Sequence, residues 1–255
     1  MTESPVRYEL HKGIARIVLG RPTRANAIDL PTAQSFGEAV DRAAGQDDVR
    51  AVLVSGEGPR FCAGGDVMAM IAAPDRSAYL HELATTFDHA LQRLALLPKP
   101  VVGAVQGAVA GAGVALMLSC DVIVSARSTK FRLAYAGVGL TPDCGVSYLL
   151  PRAIGQVRAL DLALTGRTLT AEESYQWGLV TEVVDDEELE ARVRSLGEQL
   201  AAGPGFALGQ AKRLLRLREA TRAEIGAEEA KVIAEACGTA DAASILESFG
   251  TRQGG

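Results

Sequence analysis

The sequence predicts an α/β fold, and three observations carry that prediction. Short apolar, β-branched runs alternate with stretches of helical spacing up to about residue 200. Two glycine-rich turns each follow such a run and precede a helix. Beyond Asp185 the pattern becomes helical. The expected organisation is a mixed core over residues 1–200 and a helical region over 201–255. Gly203-Pro204-Gly205 is the clearest linker.

Each element has its own signal. Residues 14–19 alternate and are β-branched, so they read as a strand. Residues 7–10 pair with them through His11-Lys12-Gly13. Residues 30–44 have helical spacing, with Asp29 as cap and Pro31 in the first turn. Residues 51–55 read as a short buried strand, and 56–66 as a glycine-rich loop. A long helix over 75–97 is stopped by Pro98 and Pro100. A second buried strand covers 101–105, a second glycine turn 107–113, a buried helix 114–119 and a further strand 121–125. Helical spacing recurs over 187–201, 206–219, 222–236 and 241–249.

Bulk properties narrow the function. The chain has 255 residues, 48% hydrophobic and 22% charged, the mix of a globular protein with a sizeable core. A net charge of −5 argues against a protein that tracks nucleic-acid phosphates. Cysteines at 62, 120, 144 and 237 form no CxxC pair, so neither a metal site nor a disulfide framework is indicated. The start, MTESPVRYEL, lacks the basic and apolar regions of an export signal. No apolar run approaches the ~20 residues that span a bilayer. A reducing, cytoplasmic location is therefore expected.

The first glycine turn is Phe61-Cys62-Ala63-Gly64-Gly65-Asp66, and the second runs over 107–113. Glycine admits a ligand close to the backbone, and a helix N-terminus adds unpaired N–H donors. Two such turns face to face could hold a carbonyl oxygen from both sides, as an oxyanion hole does. Tight turns also need glycine for purely conformational reasons. A dinucleotide site is set aside, because the third glycine of G-x-G-x-x-G is missing and no G-K-[ST] follows.

Asp143 is the single carboxylate in the apolar stretch AYAGVGLTPDCGVSYLLP. It is either the cap of a helix over 146–150 or a catalytic group. His11 and His81 lack metal-ligand spacing and read as surface residues. Trp177 reads as core.

These motifs together resemble the crotonase (enoyl-CoA hydratase/isomerase) superfamily. The likeness lies in Arg21-Pro22 with Asn26-Ala27, in residues 60–66, in Pro98-Lys99-Pro100, in residues 107–113 and in Cys120-Asp121. It continues through Leu164-Thr165-Gly166-Arg167, Ala171-Glu172 and Trp177-Gly178-Leu179-Val180, and so covers nearly the whole chain. The resemblance implies a crotonase-like spiral of ββα turns, a coenzyme A thioester ligand and a C-terminal helical trimerisation region. It places the thioester oxygen on the N–H groups of Gly65 and Ala112. It places Arg24, Ala25 and Ala27 near the CoA adenine and phosphates. Ala63, Asp66, Val67 and Met68 fall among its substrate-binding positions, with a structural role preferred for Asp66. Phe249 and Arg252 match a segment that reaches a neighbouring CoA site, with packing the preferred role for Phe249.

Hydratases of the family use two glutamates to activate water. Ala115 and Tyr135 stand at those positions here, so efficient hydration is not expected. Thr141-Pro142-Asp143-Cys144-Gly145 instead resembles isomerases acting on phenylacetyl-CoA epoxide and on unsaturated acyl-CoA. The resemblance makes Asp143 the acid/base of a double-bond shift. Three other readings stay open: a non-catalytic acyl-CoA-binding protein, a hydratase by family membership, and an aspartate-nucleophile enzyme of the 4-chlorobenzoyl-CoA dehalogenase type. The last is weakened because Asp88, not His89, falls at the dehalogenase histidine position. No cofactor is expected beyond the coenzyme A carried by the substrate. The expected assembly is a homotrimer or dimer of trimers, with no nucleic-acid or membrane partner.

Overall fold

The computed structural model describes residues 4–217 and 220–253, with side chains described through Phe249. In chain order the elements begin with β1 (Val6–His11), β2 (Ile14–Leu19), α1 (Leu30–Gly45), β3 (Ala51–Gly56), α2 (Val67–Ala72) and α3 (Arg76–Leu96). Then come β4 (Val101–Val105), β5 (Ala108–Ala110), α4 (Ala112–Ser119), β6 (Val122–Ala126) and β7 (Lys130–Arg132). After them follow α5 (Val146–Ile154), α6 (Gln156–Thr165), β8 (Thr168–Thr170), α7 (Ala171–Gln176) and β9 (Glu182–Val184). The chain closes with α8 (Leu189–Ala201), α9 (Gly205–Arg216), α10 (Arg222–Cys237) and α11 (Ala240–Gln253).

The local chemistry explains the first elements. Lys12 and Gly13 both have positive φ, which suits a two-residue hairpin turn and sets His11 opposite Ile14. Asp29 caps α1 by accepting from the Thr32 amide at 3.0 Å. Asp75 caps α3 in the same way through the Ala78 amide. The α3 helix ends before Pro98, whose ring cannot continue it.

The main sheet has six strands in the order β1-β2-β3-β4-β6-β9, parallel except for the β1–β2 hairpin. A second sheet, β5-β7-β8, lies beside it. Parallel strands buried on both faces read as continuous apolar runs, as in β4, Val-Val-Gly-Ala-Val. One face of the main sheet packs against α1, α3 and α4, where Phe36 meets Phe87 edge to face at 5.6 Å. The other face packs against α8 through Leu189 and Val193 on Leu53, Val102 and Val124.

The strands β5, β7, β8 and β9 are each three residues long, too short to give a periodic signal. The C-terminal helices lie where their spacing places them, but α9 is tied to the core. Asp121 accepts from Lys212 at 2.8 Å and from Arg216 at 2.7 Å, and also holds the Val101 amide. Gly209 lies so close to the Pro98 carbonyl that a Cβ would collide with it. No helix among the described residues is long and apolar enough to cross a membrane.

Candidate active site

The first glycine turn is stitched to β5. Phe61 and Cys62 donate to the carbonyls of Gln106 and Ala108, and the Ala110 amide returns a bond to the Cys62 carbonyl at 2.9 Å. The two glycine turns are therefore neighbours. A Cβ on Gly64 would stand 2.9 Å from the Ala110 oxygen and 3.4 Å from the Ala112 nitrogen. A Cβ on Gly113 would collide with the Cys62 carbonyl. Glycine is required here by close approach of one backbone to another.

This stitching leaves several donors over, among them the amides of Ala112 and Gly65. Ala112 is the first residue of α4, and helix geometry gives its amide no intrahelical acceptor. In the first turn, the Ala63 and Asp66 amides bond to Ala25 and Ile28, whereas the Gly65 amide takes no part. Among the described residues, neither the Gly65 nor the Ala112 amide has a hydrogen-bond acceptor. Both residues line one cavity of about 270 Å³.

Asp66 faces away from that cavity. Its Oδ1 accepts from the Met68 and Ala69 amides, capping α2, while Oδ2 accepts from Arg21 at 2.9 Å. Arg21 also binds Asp29 and the Ala27 carbonyl. Together with the Ala63–Ala25 bond, this fastens the 21–29 loop beside the first turn. Arg24 is exposed on that loop, and Ala25 adopts a left-handed conformation.

The remaining walls come from α3 and the 134–144 segment. From α3 the cavity receives Leu80, Leu83, Ala84 and Phe87, a run at helical spacing, together with His81. The surface reading of His81 is thus incomplete: the residue is exposed, but one side of it faces the cavity mouth. From the later segment come Tyr135, Val138, Leu140, Thr141, Asp143 and Cys144. Among the described lining residues, Asp143 is the single carboxylate.

The capping reading of Asp143 does not hold. Cys144 and Gly145 are both left-handed, at φ 51° and 78°, and α5 starts only after them, with no side-chain cap. The Asp143 carbonyl accepts from the Val146 amide, while its carboxylate turns to the cavity and accepts from the Tyr135 hydroxyl at 2.7 Å. A left-handed non-glycine residue costs about 1–2 kcal/mol, which burial of the Cys144 side chain offsets.

Burial foremost, and then Asp143, push the Tyr135 phenol's pKa upward. The same two causes push the Cys144 thiol up. Burial alone dominates at Cys62, whose pKa is pushed up to about 12. The phenol and both thiols therefore stay protonated at neutral pH.

Other residues expected at the site are distributed unevenly. Gly65, Ala112, Ala63, Val67, Tyr135 and Asp143 share the cavity. Ala115 does not reach it; it is fully buried in the core, and its carbonyl accepts from Ser119. Met68 points to solvent. Phe249 is exposed on α11, away from the cavity lining, and the side chain of Arg252 lies outside the described residues. The Leu80–Phe87 face was legible as i, i+3, i+4, i+7 spacing, but nothing local showed which way it points.

Two amides without an acceptor among the described residues and one carboxylate line the same cavity, and the fold that holds them is that of the crotonase enzymes. The sequence profile of the enoyl-CoA hydratase/isomerase family matches residues 9–247, and the chain belongs to that family of enzymes. It is 39% identical over 215 residues to the 1,2-epoxyphenylacetyl-CoA isomerase of Escherichia coli (strain K12), covering 82% of this chain and 81% of that protein. It is 33% identical over 213 residues to a 4-chlorobenzoyl coenzyme A dehalogenase of an Arthrobacter species, covering 83% and 77%. The crystal structure of an enoyl-CoA hydratase of Mycobacterium smegmatis superposes with a TM-score of 0.91 at 27% identity, covering 98% and 97%. One fold thus carries three different chemistries in these proteins.

Proposed function

We propose that this protein is an acyl-CoA isomerase that moves a double bond of an unsaturated acyl-CoA from the β,γ to the α,β position. The observation that carries the reading is the lone carboxylate of Asp143 in the cavity that also holds the Gly65 and Ala112 amides. The thioester oxygen binds those two amides. Asp143 removes a proton from the α carbon, and the electron pair moves into a dienolate whose negative oxygen the amides stabilise. Asp143 then returns the proton to the γ carbon, and the double bond settles at α,β. No water enters, so one acid/base is enough.

The site does not support hydration in the same way. Activating water between two carboxylates needs a second one, and Ala115 and Tyr135 supply none. A second reading has one observation in its favour: His81 places an imidazole on the cavity. In that reading Asp143 attacks an aryl carbon, halide leaves, and water activated by His81 hydrolyses the aryl ester. Covalent labelling of Asp143 by a 4-halobenzoyl-CoA would favour it.

The deciding experiment compares wild type with Asp143→Asn on a β,γ-unsaturated acyl-CoA. The variant is expected to lose about 10²–10⁴-fold in kcat, the usual share of a general base, with little change in thioester binding. In D₂O the wild-type product should carry some deuterium at the γ carbon, in the share of turnovers in which the protonated Asp143 exchanges with solvent before it returns the proton. Undiminished turnover by a folded Asn variant would overturn the reading. Binding without turnover by the wild type would leave an acyl-CoA-binding protein.

A further inference from the structure

Tyr135 is the residue in the cavity whose chemistry the proposed reaction leaves unused. It cannot act as a base, because burial and the neighbouring carboxylate keep its phenol protonated. Its single hydroxyl proton is already donated to Asp143 Oδ1. It therefore cannot donate to a thioester oxygen or hold a nucleophilic water by that proton without releasing the aspartate.

Its placement is built, not incidental. The Tyr135 carbonyl accepts from the Val138 and Leu140 amides, both at 3.0 Å, and so anchors the turn that leads to Asp143. The ring stands beside the second glycine turn: a Cβ on Gly111 would only just reach van der Waals distance, 3.9 Å from Tyr135 Cζ, and both residues line the cavity. The same side chain thus neighbours the turn that presents the Ala112 amide and bonds the carboxylate that shares its cavity.

We propose that Tyr135 is a positioning residue that occupies Asp143 Oδ1, fixes the plane of the carboxylate relative to the Ala112 turn, and assigns proton transfer to Oδ2. This inference rests on the acid/base reading of Asp143. During the reaction Oδ2 takes the α proton and returns it to the γ carbon, while the phenol keeps its own proton throughout. A free aspartate has two rotatable bonds and can turn either oxygen away. One charge-assisted hydrogen bond restrains both, and proximity of this kind acts on kcat more than on binding.

Tyr135→Phe tests it, because the ring and its packing remain. The measurement is kcat and KM on a β,γ-unsaturated acyl-CoA, with Asp143→Asn and the double variant made in parallel. The expected result is a fall in kcat of about 10- to 100-fold, the share of one hydrogen bond to a charged group, with KM within about twofold. The double variant should be no slower than Asp143→Asn alone, because the phenol acts only through the carboxylate. An unchanged kcat in Tyr135→Phe, with Asp143→Asn inactive, would overturn this inference and leave the isomerase reading standing. A raised KM at constant kcat would also overturn it, making Tyr135 a substrate contact. Full activity in Asp143→Asn would instead remove the reading on which the inference rests.

Discussion

The hydroxyl of Tyr135 donates to Oδ1 of Asp143 at 2.7 Å, across eight residues of turn. This bond ties a phenol on one wall of the cavity to the single carboxylate among its described lining residues. It also means that the carboxylate is turned away from the helix that follows it.

A stability measurement separates these two orientations. A side chain that caps a helix contributes about 1 kcal/mol. Asp143 makes no such bond; its partner is the phenol. Asp143→Ala should therefore destabilise the protein by about 0.5 kcal/mol or more beyond its effect in a Tyr135→Phe background, read from urea midpoints. An equal loss in both backgrounds would restore the capping role.

Hydration should be poor. Crotonyl-CoA absorbance loss should run at least about 10²-fold slower than double-bond migration, because the second carboxylate is missing. Equal rates would mean that water is activated by groups other than a pair of carboxylates.

Thiol chemistry offers an independent check of the site's packing. Cys62, Cys120 and Cys144 are buried, and only Cys237 is exposed. Burial pushes Cys62 and Cys120 up to about 12, so thiolate forms there only near that pH. A disulfide reagent at pH 8 should titrate one thiol rapidly in the native protein and all four in denaturant. Rapid reaction of a second thiol would show that the packing around one of the buried cysteines opens.

The Asp121 clamp should be costly to break. Lys212 is nearly buried, and burial foremost holds its pKa below the ordinary lysine value, against the pull of Asp121. Removing the carboxylate leaves two cations against each other. Asp121→Asn should destabilise the protein by about 3 kcal/mol in urea unfolding. A change under about 1 kcal/mol would mean that α9 is held by other contacts.

The C-terminal helices should mediate assembly. Leu215 is 82% exposed, Ile233 72% and Phe249 61%, so each of the last three helices carries a large apolar side chain in the open. Sedimentation is expected to give a trimer or a dimer of trimers. A monomer at micromolar concentration would contradict the oligomerising role proposed for residues 201–255.

The sequence by itself determined the alternation of strands and helices, because apolar periodicity and cap residues such as Asp29 and Asp75 act locally. It also singled out the two glycine turns and Asp143, since glycine pairs and a lone carboxylate among apolar residues are visible without coordinates. Four three-residue strands were beyond it, because so short a run carries no period. Only the tertiary structure decided what the turns and the carboxylate face. The Ala115 side chain goes to the core and that of His81 to the cavity mouth, a matter of how whole helices are rotated. Two consecutive left-handed residues, Cys144 and Gly145, delay α5 and free the Asp143 side chain from capping it. Its partner is Tyr135, brought within hydrogen-bond distance by a turn whose path depends on packing against α3 and the second glycine turn. Such a bond is set by long-range packing, and no local spacing encodes it.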